Sequence, residues 1–413
     1  PLKKQMNMKQ NYFIGLIACA ALTMTGCSNE EINAPQQSQG NNAIEFSTYL
    51  GRNAQGSRST ETNDASIKKN EKNGGFGVLA YYTKQDDFNI TNHTPNFMWN
   101  QQVTYKGTNW EYTPVKYWPT KVGDKVSFFA YAPYAANGND KGIVLSSNSE
   151  TGAPTATITL PDDPSQTIDF VAAVQMNKTH DKGTNVSFTL LHEMTRVKVQ
   201  AKLDKSVYDA NPKHKTFVVI KNVTFNNKGQ FYKSGTYTFS KDDKKRGTWT
   251  TTDNTTAYSL DLNNVMKKET IKVTGAKGES GSGNYQEGEA GIKLVNTDPV
   301  PLFKDDQYLF LIPVANLTDG KATATIEYDI VTEDSKLAVG YSCTKATKTV
   351  LLPAGTLKQG ISYNYIFTIK LDEIVLNAEV KGWDEPASDS NINVPYSPDD
   401  ATKQNKTESK TQQ

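Results

Sequence analysis

The sequence predicts an all-β protein built of antiparallel sandwiches. Three observations carry this: apolar and polar residues alternate with period two in several segments, turn-forming clusters separate those segments, and helical periodicity is nearly absent. Residues 196–203 put Val197, Val199, Ala201 and Leu203 on one face and Arg196, Lys198, Gln200 and Lys202 on the other. A strand with one dry and one wet face has that pattern. Residues 322–330 and 363–371 repeat it. Further strands are expected at 44–49, 77–82, 126–131, 155–160, 186–191, 217–225, 271–274, 308–314 and 374–380. Asn137-Gly138-Asn139-Asp140, Asn226-Asn227-Lys228-Gly229 and the 242–247 run supply turn chemistry between them. Only 263–268 suggests a helical turn, and the Gly-rich 275–291 stretch reads as a loop.

Composition narrows the function classes. The chain has 413 residues, room for two ordinary domains or one large one. Lys+Arg is 45 against Asp+Glu 44, so there is no basic excess for a nucleic-acid partner. Cys19, Cys27 and Cys343 are too few for a disulfide framework or a Cys-rich zinc module. His93, His180, His192 and His214 never fall in metal-ligand spacing, so no metal and no cofactor are expected. No GxSxG, HExxH, P-loop or CxxC motif occurs, which argues against an enzyme. The adjacent pairs Asp162-Asp163 and Asp305-Asp306 read as solvated loops, because neighbours on a strand point to opposite faces. His192 reads as a histidine at the core rim. Trp99, Trp110, Trp118, Tyr81 and Tyr82 cluster in sequence, either as a sugar-stacking platform or as core packing.

The N-terminal segment reads as an address. Lys3, Lys4 and Lys9 precede an apolar run at 12–22, too short to span a bilayer as a helix and right for a signal peptide. Met6 or Met8 is the expected start. The run closes on Met24-Thr25-Gly26-Cys27, which resembles a bacterial lipobox. Cleavage between Gly26 and Cys27 would leave Cys27 as a lipidated N-terminus and residues 1–26 as the signal peptide. An ordinary secretory signal is the alternative. Ser28-Asn29-Glu30-Glu31 resembles the surface-export signal of Bacteroidetes lipoproteins. Residues 27–43 form a polar tether, and 386–413 a polar tail.

A set of landmarks then follows in order. They are Ile44-Glu45-Phe46, Arg58-Ser59-Thr60, Phe76-Gly77-Val78-Leu79-Ala80-Tyr81-Tyr82, Tyr131-Ala132-Pro133-Tyr134, and Phe188-Thr189-Leu190-Leu191-His192 before Arg196-Val197-Lys198-Val199. Leu352-Pro353-Ala354-Gly355-Thr356-Leu357, Tyr363-Asn364-Tyr365 and Val380-Lys381-Gly382-Trp383 complete them. Together they resemble the fimbrillin family of Bacteroidales, the subunits of lipoprotein-derived type V pili. The resemblance implies two tandem transthyretin-like sandwiches, placed here at 44–184 and 185–385. It implies an outer-membrane surface lipoprotein that joins a fimbrium and serves adhesion. Its partners would be other fimbrial subunits and a maturation protease of trypsin-like specificity. That protease would cut after Arg58, with Arg52 the alternative, and release the strand carrying Ile44 and Phe46. A donor strand from another subunit would replace it by strand addition. Thr48 is a further inward-facing position. In the tail Ile392, Val394 and Tyr396 alternate and are the possible donor, although Pro395 removes one ladder bond. A monomeric surface glycan-binding lipoprotein is the second reading.

Overall fold

The computed structural model describes residues 42–50, 61–210, 215–227, 231–251, 258–274, 282–284, 290–304, 307–314, 317–318, 320–370, 373–383 and 394–396. Strands dominate them, and the α-helices Asp64–Ile67 and Lys205–Asp209 are a single turn or little more. The all-β expectation holds.

A six-stranded antiparallel sheet sits at the centre of the first half. Its order is Leu191–His192, Val171–Lys178, Lys125–Ala132, Phe76–Lys84, Met98–Tyr105, Trp110–Glu111. The inner strands are apolar on both faces because both faces are covered. Phe76, Val78, Ala80, Val126, Phe128 and Ala130 face one core. Leu79, Tyr81, Phe129 and Tyr131 face another. Gly77 is required between them: a Cβ there would stand 2.2 Å from the Tyr131 ring.

Each face has its own cover. On the Tyr131 side lies a five-stranded sheet ordered Thr248–Thr250, Ser234–Thr238, Thr155–Thr159, Ile143–Leu145, Asn139–Asp140. Ala156, Ile158 and Tyr237 carry it into the shared core. On the Phe128 side lies a two-stranded ribbon, Glu45–Tyr49 beside Asn185–Thr189, running parallel with Glu45 opposite Asn185 and Tyr49 opposite Thr189.

The second half packs two further sheets. In one, Thr195–Leu203 runs parallel to Ile361–Ile369, which pairs antiparallel with Ile374–Gly382. In the other, Thr216–Asn227 lies between Ala290–Leu294 and Ala322–Glu333, and Tyr341–Leu351 forms the edge. A bulge between Ile220 and Asn222 shifts the side-chain alternation by one. Val218, Ile220, Val223 and Phe225 can therefore all face the core shared with Val197, Val199 and Ala201.

Three findings differ from the sequence reading. Pairing is not antiparallel throughout, since the 45–49 and 195–203 strands each have a parallel neighbour. Each parallel pair joins segments more than a hundred residues apart, so no hairpin turn announces it. The sheets do not divide at residue 184. Strands 185–189 and 191–192 pair with strands before it, and 234–238 pairs with 155–159. The helical turn expected at 263–268 sits at Leu262–Asn264, as a 3-10 turn.

Candidate functional site

The strand 45–49 lies in a groove, paired in a two-stranded ribbon rather than in one of the larger sheets. Its neighbour along one side is 185–189. On the other side the 112–118 loop holds its start. Ile44 N donates to Lys116 O at 2.9 Å, Trp118 N to Asn42 O at 2.9 Å, and the Tyr112 hydroxyl to Ile44 O at 2.9 Å. Ile44, Phe46 and Leu50 are 1%, 5% and 3% exposed, whereas Tyr49 is 46% exposed. The Phe46 ring sits among Tyr112, Phe188, Phe128 and Phe76, with centroids 5.2, 5.9, 5.9 and 6.4 Å away. Burying three such side chains contributes roughly 1.5–3 kcal/mol each.

The expected inward positions Ile44 and Phe46 are thus in the groove. The third anchor is Leu50 rather than Thr48, which is half-buried with its hydroxyl unpartnered among the described residues. Ile67, on the short helix just past the 51–60 segment, is 2% exposed in the same core. Sequence reasoning missed it, because a four-residue helix shows no periodicity. Its usable signal was the capping box, in which Asn63 Oδ1 accepts from Ser66 N and Ser66 Oγ accepts from Asn63 N.

Tyr112 is the strap over the strand's start. Burial is the main cause that pushes its hydroxyl pKa up to about 12. The neutral, donating form is therefore favoured in the folded chain. Its contribution is fully present below pH 10, the ordinary value, and is lost as pH rises toward 12. Tyr112→Phe should cost about 1 kcal/mol. Thermal melts should show the parent losing more stability than this variant between pH 9 and 12; parallel losses would contradict the role.

A second constellation centres on Glu61 and Thr62. Glu61 Oε1 accepts from Arg196 Nη1 at 2.5 Å and from Trp383 Nε1 at 2.7 Å. Thr62 N donates to Asp169 Oδ2 at 2.9 Å and Thr62 Oγ1 to Asp169 O at 2.6 Å. His192 Nδ1 pairs with the same Asp169 Oδ2 at 2.8 Å, and Trp383 stacks on the His192 ring at 3.9 Å and 10°. Burial raises the Asp169 carboxyl above its ordinary range, against the opposing pull of His192. The Arg196 guanidinium lies over Tyr308 and Trp383. His192 is therefore at the core rim as expected, tied to the Asp169 carboxylate.

The aromatic cluster divides between two cores. Tyr81 and Trp99 pack with one, while Tyr82, Trp110 and Trp118 pack with the other. They do not line up as a platform. Asp162 pairs with Lys233, and Asp163 caps Ser165 N. Among the described residues no group of three or more His, Cys, Asp or Glu is placed to hold a metal ion. Gly26, Cys27, Arg52, Arg58, Asp305, Asp306 and Ile392 lie outside the described residues. Val394–Tyr396 is a strand on this chain's own sheet, with Val394 opposite Ala378, Pro395 opposite Asn377 and Tyr396 opposite Leu376.

Comparison with known proteins places this architecture in a class. Residues 57–383 match the model of the fimbrillin-like family. The chain is 30% identical over 400 residues to the fimbrium subunit Fim1C of Phocaeicola vulgatus, covering 92% of this chain and 98% of that one. The crystal structure of a fimbrial protein from Bacteroides vulgatus superimposes with a TM-score of 0.69 at 28% identity, over 83% of this chain and 100% of that one. The chain belongs to the fimbrillin-like family.

Proposed function

We propose that this protein is a structural subunit of an adhesive surface fimbrium, assembled by protease-activated strand exchange. It reaches the outer membrane as a lipoprotein anchored at Cys27, after cleavage between Gly26 and Cys27. A protease of trypsin-like specificity then cuts after Arg58, or at Arg52. The 45–49 strand leaves, and another fimbrial subunit supplies its replacement.

The observation that supports this is the isolation of the 45–49 strand. It rests in an aromatic groove by three anchors, and the 51–60 segment joins it to the body. While joined, the strand is present at a high effective concentration, so a competitor rarely wins. Cutting the connector removes that advantage without touching a contact in the groove. The strand can then diffuse away, and an incoming strand meets preformed apolar pockets and an unpaired 185–189 edge. Ile392, Val394 and Tyr396 are the donor proposed within the chain's own family of subunits, and 394–396 would have to leave its place beside 376–378. The aromatic set offers the glycan-binding reading no exposed platform.

Trypsin treatment of the purified chain should yield heat-resistant oligomer ladders, and Arg58→Ala should abolish them. Ladders of undiminished yield in Arg58→Ala, with Arg52→Ala equally silent, would overturn the cleavage step. Labelled palmitate should be incorporated by the parent and not by Cys27→Ala.

A further inference from the structure

Strand exchange raises a mechanical question for the retained part of the chain. Once 45–49 leaves, residues 61–75 become the new N-terminal end. They carry Ile67, which closes the same core as Ile44, Phe46 and Leu50. A freshly cut end frays unless it is tied down. If residues 61–75 frayed, Ile67 would leave and the groove would lose a wall before a donor arrived.

We propose that Glu61 and Thr62 form a clamp that holds the cut end, keeps Ile67 in the groove, and ties that end to the root of the C-terminal tail. The inference rests on the proposed cleavage within 51–60. Four observations carry it. Glu61 is 7% exposed, so its carboxylate is bound inside rather than solvated. Its Oε1 joins strand 195–203 through Arg196 to Trp383, which directly follows strand 374–382. Thr62 is held separately, by both its backbone N–H and its hydroxyl, to Asp169. Trp383 is itself fixed, stacked on His192 and Phe310, with its backbone N–H donating to Gly360 O. The clamp therefore reaches residues from both halves of the chain. It meets the retained N-terminus and the start of the tail at one carboxylate. Arginine suits the post because its guanidinium can pair with Glu61, bond Ser362 Oγ and stack on Tyr308 at once. The consequence is a fixed boundary. The exchangeable 45–49 strand lies before that boundary, and the body after it remains.

The sequence carries its own reporter of that boundary. Lys68, Lys69 and Lys72 follow the clamp within a dozen residues, and each is a trypsin site when unfolded. The full chain and its Glu61→Ala, Glu61→Gln and Trp383→Phe variants would be treated with trypsin, and their N-termini read by mass spectrometry. The parent should stop at Ser59. Glu61→Ala should be trimmed onward to Lys68, Lys69 or Lys72. Glu61→Gln, which keeps the acceptor oxygen, should trim at least tenfold more slowly than Glu61→Ala. Trp383→Phe keeps an aromatic ring but loses the indole N–H and part of the stack on His192, Phe310 and Arg196, and should fall between. Cut parent should rebind a synthetic peptide of residues 42–50 at least tenfold more tightly than cut Glu61→Ala. Identical trimming and identical peptide binding across the set would overturn the clamp.

Hydrogen exchange on the uncut chains separates this proposal from the one beneath it. Amides of Ile67 and Lys68, bonded to Asn63 O and Asp64 O, should exchange at least tenfold faster in Glu61→Ala while Lys125–Ala132 keeps its protection. If the parent is never cut within 51–60, the cleavage reading fails and this exchange difference still decides the clamp. Unchanged exchange at Ile67 in both Glu61→Ala and Trp383→Phe sinks it. Should Glu61→Ala fail to fold, shown by lost protection at 125–132, Trp383→Phe alone gives the answer.

Discussion

Phe46→Ala is expected to weaken the first strand's hold by roughly 3–5 kcal/mol, the usual cost of emptying an aromatic side chain from a packed core. Four rings line the site, and they come from four different strands or loops, so they cannot collapse together into the space. At about 1.4 kcal/mol per decade, the peptide 42–50 carrying this change should bind the cut protein two to three and a half decades more weakly. Tyr49→Ser is the control, since Tyr49 points outward. It should change binding by less than threefold. Equal losses in the two peptides would mean that backbone pairing, not the groove, holds the strand.

The strands legible in the sequence are those whose residues alternate along the chain. Residues 196–203 alternate because they cover a core on one side only, and 322–330 and 363–369 keep the alternation in sequence although Thr323, Asp329, Ile366 and Thr368 on their second faces are buried as well. Val171–Lys178 was invisible for the opposite reason. Ala172 and Val174 face one core while Val171 and Ala173 meet the other, so no polar residue marks the alternation at its start. Met98–Tyr105 hides behind Asn100, Gln101 and Gln102. Its irregular pairing and the left-handed backbone at Asn100 break the period. Tyr341–Leu351 fails as an apolar pattern because it is a sheet edge, where lysines at 345 and 348 deter further pairing.

The groove was partly legible. Its strand could be read from Ile44 and Phe46, but the opposing wall at 112–118 could not, since it grips through backbone groups that any sequence supplies and through the lone Tyr112 hydroxyl, which no local pattern marks. The clamp was spread from Glu61 to Trp383, a separation that no local spacing rule reaches. One signal was available. Arginine occurs four times in a lysine-rich chain, at 52, 58, 196 and 246. The two outside the 51–60 segment both meet buried glutamates, Arg196 with Glu61 and Arg246 with Glu193. A rare arginine among many lysines marks a place where a planar fork is needed and a mobile point charge would not serve.

The two halves of the body are expected to unfold in one transition, and Tyr237→Ala should lower it by roughly 3–5 kcal/mol. The argument is the hairpin that crosses from the second half to the first. Ser234–Thr238 pairs with Thr155–Thr159 over five residues, which sews the hairpin into the first half's sheet. Tyr237 then fills the core beneath it, 2% exposed, its ring near Phe239, Phe170 and Trp249 and its hydroxyl accepting from Gly247 N at 3.0 Å. The returning strand is bound to the other half. Trp249 Nε1 donates to Glu193 O, and the Glu193 carboxylate accepts from Gln359. Neither half can open without exposing the other's aromatic core. Calorimetry on the parent should therefore show a single peak with matching calorimetric and van't Hoff enthalpies. In Tyr237→Ala the whole peak should move down together. Two resolved peaks in the parent, or a variant in which only one part shifts, would mean that the halves are independent domains and that the hairpin is a surface attachment.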